Sequence, residues 1–135
     1  MALIKEGSRI PDFKTEHLAS KEFEKDKGVI LFFTAPNCPH CKTLLPALEN
    51  IAQKYKASGI RVLNISRSFL PELKEENRYQ EWLADTEGTL FPYFGVSGFP
   101  SVILLDPRGQ VLISTAGADE KLSLRLEKAI SQLIN

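Results

Sequence analysis

Five consecutive apolar residues, Val29-Ile30-Leu31-Phe32-Phe33, end shortly before Cys38-Pro39-His40-Cys41, and a long helical pattern begins at Pro39. An unbroken β-branched and aromatic run is the mark of a strand buried on both faces in a mainly parallel sheet. Beyond the motif, Leu44, Leu45, Leu48, Ile51, Ala52 and Tyr55 keep helical spacing to about residue 57, and Gly59 supplies a stop. The chain is therefore expected to pass from a central strand into a helix, with both cysteines at the junction. Pro46 lies inside that helix and removes the N–H that would bond the Lys42 carbonyl, so a kink is expected just past the motif.

Residues 60–65 read as a second strand, and Ser66-Arg67-Ser68 as a loop at its carboxyl end, with Arg67 solvated. Pro71 can open a second helix running through Leu73, Tyr79, Trp82 and Leu83 to about Asp85. Strand, helix, strand, helix implies a right-handed parallel crossover and an α/β fold class. Residues 89–98 combine Phe91, Tyr93 and Phe94 with two glycines and a proline, so a packed loop with at most a short helical turn is expected there. Residues 102–105 and 110–114 flank Asp106-Pro107-Arg108-Gly109, where Pro stands second and Gly fourth as a type I turn prefers. They predict an antiparallel hairpin at one side of the sheet. Asp119 suits the N-cap of a last helix whose Leu122, Leu126, Ala129, Ile130 and Leu133 share one face, expected to cover the hairpin. Ahead of the first strand, residues 7–13 read as an irregular or short-strand segment, and the charged stretch 21–28 as a solvated turn.

The motif carries the chemistry. Residues three apart on a helix have Cβ atoms about 5–6 Å apart, and a small adjustment in the first turn brings them to the roughly 3.5–4.5 Å that a disulfide needs. The pair can thus open and close without unfolding anything. Cys38 falls at or just before the helix start, where free N–H groups and the positive end of the dipole stabilise a thiolate by about 0.3–1 kcal/mol. His40 can add to this, since a cationic imidazole favours a nearby thiolate and even a neutral ring can donate a hydrogen bond. Stabilising the thiolate stabilises the reduced form and makes the disulfide a better oxidant. Pro39 suits a first helical turn because it has no N–H to leave unsatisfied.

Composition bounds the partners. At 135 residues, 43% of them apolar, residues 1–135 are expected to form one domain with its own core. Lys plus Arg equals Asp plus Glu, 17 each, with no run of like charge, so nothing points to nucleic acid or an anionic membrane. No stretch is long and apolar enough to span a bilayer, and Met1-Ala2-Leu3-Ile4-Lys5-Glu6 lacks a signal peptide's basic and apolar regions. A soluble monomer is expected, and a removed signal or membrane anchor remains compatible with this start.

Four features then stand at the spacing of a known family: the apolar strand leading into Cys38-Pro39-His40-Cys41, Pro46 five residues after the second cysteine, Gly98-Phe99-Pro100-Ser101 ahead of the hairpin, and the closing helix after Gly117. With the opening segment 7–13, the chain resembles the thioredoxin superfamily over nearly its whole length. Within it, the chain is similar to TlpA/ResA-type thiol–disulfide oxidoreductases, with a DsbA-like active-site dipeptide. The resemblance implies a thioredoxin-like fold, a central mixed β-sheet flanked by helices. It implies that Cys38 is the exposed attacking cysteine and Cys41 the buried resolving one. Pro100 matches the family's cis-proline, whose loop pairs the backbone of the preceding residue, here Phe99, with a substrate peptide. No bound cofactor or metal is implied, the Cys38–Cys41 pair being the redox centre. The implied partners are protein or peptide thiols and disulfides together with a recycling partner, in the bacterial periplasm or another extracytoplasmic setting.

The chain also departs from the family pattern. Thioredoxins carry a buried Asp six residues before the first cysteine, where this chain has Phe32; ResA-like proteins often have Glu three after the second, where it has Leu44. Asn37 stands where a Trp is common, and no acid is evident to take the proton of Cys41. Two other readings remain. A peroxiredoxin-type peroxidase would need Thr three residues before its cysteine, whereas Thr34 stands four before Cys38. A peptide- or metal-binding module would keep the fold and use the pair as a clamp, although zinc would need two more ligands, which His17 and His40 are poorly placed to supply.

Overall fold

The computed structural model describes residues 2–117 and 119–135. Its centre is β1 (Gly28–Phe33), every residue of which is buried, as the unbroken apolar run requires. The run leads into α1 (Pro39–Tyr55), whose buried residues Cys41, Leu45, Leu48, Ile51, Ala52 and Tyr55 repeat at helical spacing. Pro46 lies inside this helix with its ring exposed to solvent. After a short 3-10 turn, Gly59 ends the segment at φ 92°, a left-handed conformation that glycine adopts without strain.

Next, β2 (Ile60–Ser66) pairs with β1 in parallel, Phe32 facing Asn64. A short helix, α2 (Pro71–Glu76), brings the chain back to β3 (Glu81–Ala84), which pairs parallel to β2. One helix to about Asp85 was expected here, and the structure divides that stretch into a helix and a strand. The helix stops at Asn77, whose side-chain amide donates to the Leu73 carbonyl at 2.9 Å. The strand is held by Arg61, whose guanidinium donates to both carboxylate oxygens of Glu81 at 2.7 and 3.0 Å. Trp82 and Leu83 fit either period, so apolar spacing alone could not separate the two elements.

The remaining elements are α3 (Leu90–Tyr93), the hairpin β4 (Ser101–Leu105) and β5 (Val111–Ala116), and α4 (Leu122–Ile134). Because β4 runs antiparallel to β1, the sheet is mixed, in the order β3-β2-β1-β4-β5. The expected turn is present: the Asp106 carboxylate accepts from the N–H groups of Arg108 and Gln110, each at 2.9 Å. Asp119, expected as the N-cap of α4, lies earlier, in a turn where its carboxylate accepts the Lys121 N–H at 2.9 Å; Lys121 occupies the cap position.

Helices α1 and α4 cover one face of the sheet, packing on Ile30, Phe32, Val62, Val102, Leu104 and Ile113. The other face, with Val29, Leu31, Phe33, Leu63, Ile65, Ile103 and Leu105, lies under the N-terminal segment and α3. In that segment, the stretch read as a solvated turn overlaps a 3-10 helix, Ser20–Lys25, with Phe23 2% exposed in the core. Its charged neighbours masked a single anchoring ring. Gly95, at φ 71°, lets this covering close, because a Cβ there would collide with the Ala2 carbonyl.

Candidate active site

At the carboxyl end of β1 the Thr34 N–H donates to the Ile65 carbonyl at 2.9 Å, extending the pairing one residue past the strand. Pro36 and Asn37 then leave the core, and Asn37 takes φ 59°, a left-handed turn that asparagine tolerates better than most residues. This turn delivers Cys38 to the N-cap of α1, where its sulfur accepts the Cys41 N–H at 3.2 Å and its carbonyl accepts the Lys42 N–H at 3.1 Å. Pro39 fills the first helical position, where no donor is missed.

Cys38 and Cys41 are joined in a disulfide with their Cα atoms 5.2 Å apart. Cys38 is half-buried, whereas Cys41 is 2% exposed and packs in the same cluster as Phe32 and Leu45. One sulfur-bearing residue thus meets solvent at a helix N-terminus, and the other is sealed among apolar side chains. Phe32 and Leu44, the apolar departures noted in the sequence, both belong to this apolar cluster, Phe32 fully buried and Leu44 partly so.

The Phe99–Pro100 peptide bond is cis. Since Phe33 pairs with Ser101 across β1 and β4, Pro100 lies at the same end of the sheet as Thr34 and the redox loop. Pro100 is buried, its carbonyl accepting the Gly117 N–H at 2.8 Å, while Phe99 is 36% exposed and meets the Phe91 ring edge-on at 5.8 Å. His40 is exposed on the first turn of α1, beside a groove of about 220 Å³ floored by Leu44 and Ala47 and rimmed by Asp119 and Glu120 from the turn before α4. Arg67 is exposed as expected, its guanidinium lying over Gly88, within 2.9 Å of where a Cβ would be.

The structure adds a buried polar chain that sequence reasoning missed. Thr34, Asn64 and Gln80 are 2%, 0% and 3% exposed. The Thr34 hydroxyl donates to Asn64 Oδ1 at 2.8 Å, Asn64 Nδ2 to Gln80 Oε1 at 3.1 Å, and Gln80 Nε2 to Glu49 Oε1 at 3.2 Å. Glu49, on α1, also accepts the Tyr79 and Gln80 N–H groups at 2.9 and 3.2 Å. The chain therefore ties the end of β1 to β2, to the start of β3 and back to the redox helix. The signal for it was Asn64, a polar residue in the otherwise apolar run 62–65, which a buried strand tolerates only with partners. The Thr34 hydroxyl proton is thus engaged by Asn64. Among the described residues, no group of three or more His, Cys, Asp or Glu side chains could hold a metal ion.

A mixed five-stranded sheet flanked by helices, with a C-x-x-C disulfide at the start of the helix after its central strand, defines a thioredoxin-like thiol–disulfide domain. The chain belongs to the AhpC/TSA family, whose pattern matches residues 7–114. Among curated proteins it is similar to thiol-disulfide oxidoreductase ResA of Halalkalibacterium halodurans, 25% identical over 90% of this chain and 74% of that protein. It is also similar to ResA of Bacillus subtilis, 28% identical over 84% of this chain and 69% of that protein. Among solved structures, a Chlorobium tepidum protein assigned as thiol:disulfide interchange protein DsbE superposes with a TM-score of 0.80, at 23% identity over 98% of this chain and 99% of that one.

Proposed function

We propose that the chain is a thiol–disulfide oxidoreductase acting on protein or peptide partners, with Cys38 as the attacking cysteine and Cys41 as the resolving one. The observation that carries this reading is the unequal burial of the pair: Cys38 half-buried at the N-cap of α1, Cys41 2% exposed beneath it. A partner thiolate can reach only the first sulfur.

When the pair acts as oxidant, a partner thiolate attacks the Cys38 sulfur and the Cys38–Cys41 bond breaks. The Cys41 sulfur leaves as a thiolate and takes up a proton. In the mixed disulfide, the partner's second thiolate attacks the partner's bound sulfur, and Cys38 leaves as a thiolate. The partner loses two electrons and gains a disulfide; the pair gains the two electrons. Run in reverse, the Cys38 thiolate attacks a partner disulfide and Cys41 resolves the mixed species. Helix N–H groups and the dipole stabilise the Cys38 thiolate on leaving and attack alike, and His40 on the first turn adds to that field. On this reading the loop at Phe99 and Pro100, at the same end of the sheet as the redox loop, offers the Phe99 backbone to align the substrate peptide.

On this reading residues 1–135 work as one domain without a bound cofactor, recharged by a second redox protein in an extracytoplasmic compartment. Among the described residues no helix is long and apolar enough to cross a membrane. Turnover of a peptide disulfide is the test: wild type is expected to catalyse it and Cys38→Ser to lose it. Equal inertness of the two would favour a binding module instead. The reduction potential then fixes the direction, a value near about −120 mV meaning disulfide donation and one near about −270 mV meaning reduction.

A further inference from the structure

The buried polar chain has its two ends on the two ends of one segment. Thr34 stands at the root of the redox loop, Glu49 stands on α1, and residues 34–49 contain both cysteines. Phe32 pairs with Asn64 across β1 and β2, and Phe32 and Val62 pack with Cys41 on the helix-covered face. Strand alternation therefore puts Thr34 and Asn64 on that face too, under the redox helix. Every side-chain donor in the chain points the same way: the Thr34 hydroxyl to Asn64 Oδ1, Asn64 Nδ2 to Gln80 Oε1, and Gln80 Nε2 to Glu49 Oε1. Such bonds polarise one another, and the last acceptor is a carboxylate, which makes it the strongest anchor. Apolar side chains would fill the same space without the cost of desolvating four polar groups, so stability alone does not call for a polar chain here.

In the oxidised pair the S–S bond itself ties Cys38 of the loop to Cys41 of the helix. Reduction removes that tie. The Cys38 thiolate then keeps the Cys41 N–H, which its sulfur accepts at 3.2 Å, only while the loop and the helix hold their relative position. We propose that Thr34, Asn64, Gln80 and Glu49 are positioning residues, whose chain holds the N-cap geometry when the disulfide is open and thereby raises the reduction potential of the pair. This inference rests on the thiol–disulfide reading above and names the part of the fold that sets its driving force. Losing the chain costs the dithiol form more than the disulfide form, because in the disulfide form the covalent bond still joins loop to helix. Whatever the dithiol form loses beyond the disulfide form appears as a more negative potential. A hydrogen-bonded core with no such role would stabilise both forms alike and leave the potential where it was.

The test is the reduction potential of the pair against a glutathione buffer, measured on variants that keep both net charge and side-chain volume. Thr34→Val removes the first donor, and Gln80→Met breaks the chain two hydrogen bonds further on, on a different strand. Each should shift the exchange equilibrium roughly tenfold toward the disulfide, a potential about 30 mV more negative. Thr34→Ser, which keeps the hydroxyl, should stay near wild type. In denaturant unfolding, the reduced form of Thr34→Val and of Gln80→Met should lose more stability than the oxidised form, by the amount that the potential moves. Wild-type potentials in both variants, or equal losses in the two forms, overturn the positioning role and leave the oxidoreductase reading intact. A shift in Thr34→Val alone would be a local effect beside the cysteines and overturns it as well. A wild-type pair that does not exchange with glutathione overturns the oxidoreductase reading, and the positioning role with it.

Discussion

On one face of the sheet α1 and α4 set aliphatic rows, with Leu45, Leu48, Ile51, Leu122, Leu126 and Ile130 all buried at helical spacing. On the other face the covering has little regular structure, and rings do the filling: Phe13 meets Tyr93 at 4.8 Å and Phe94 edge-on at 5.9 Å, and Phe33 meets Phe91 at 5.3 Å. A few large rings bury as much as a helix face does, provided that loops can bring them together. The contrast bears on function, because the redox centre sits where the two faces meet. The Cys38–Cys41 pair starts α1, on the helical side, while Phe99 leans on Phe91 of the aromatic side.

If the aromatic face is as integral to the fold as the helical one, removing a ring should cost as much as hollowing a helix. Phe94, fully buried, is expected to lose about 3–5 kcal/mol as Phe94→Ala, against about 2–5 kcal/mol for Leu48→Ala on α1, both read by denaturant unfolding. A much smaller loss at Phe94 would demote that face to a loose flap.

The next largest effect concerns the polar chain below the site. Asn64→Leu leaves Gln80 Oε1 buried without its donor and the Thr34 hydroxyl without its acceptor, and should cost about 1–3 kcal/mol, with amide exchange in β3 rising more than in β4. Equal loosening of both strands would mean that the chain does not specifically hold β3.

At the junction of the faces, His40→Ala should leave stability nearly unchanged and make the reduction potential more negative by about 30 mV, which corresponds to about 1.4 kcal/mol of lost thiolate stabilisation. An unchanged potential would remove the histidine from the mechanism.

The smallest effect lies on the outer side of the helical layer. Lys54 and the Tyr55 hydroxyl hydrogen-bond Glu127, at 2.9 and 2.8 Å, joining α1 to α4 and holding its carboxyl below the usual range. A lowered folded-state value gives stability that is present above the ordinary carboxylate range and lost as pH falls through the folded value. Tm should therefore drop less on acidification in Glu127→Gln than in wild type.

The same contrast explains what could be read without coordinates. β1, α1, the hairpin turn and α4 follow from periodicity and turn chemistry, because each buries one continuous face. The aromatic face was legible only as a cluster of rings, since irregular backbone carries no period, and Phe23 was hidden among charges. β3 was misread as helix because its identity rests on pairing with β2 and on the distant Arg61. The cysteine pair was legible from its spacing, whereas Gln80 and Glu49 have meaning only through Asn64, which three-dimensional contact alone supplies.

The account turns on Cys38 being the sulfur that exchanges. Cys41→Ser and Cys38→Ser, each challenged with a peptide disulfide and analysed by mass spectrometry, test this directly. A mixed disulfide should accumulate rapidly on Cys38 in the first variant and barely form on Cys41 in the second. Adducts forming at equal rates on both, or faster on Cys41, would contradict it.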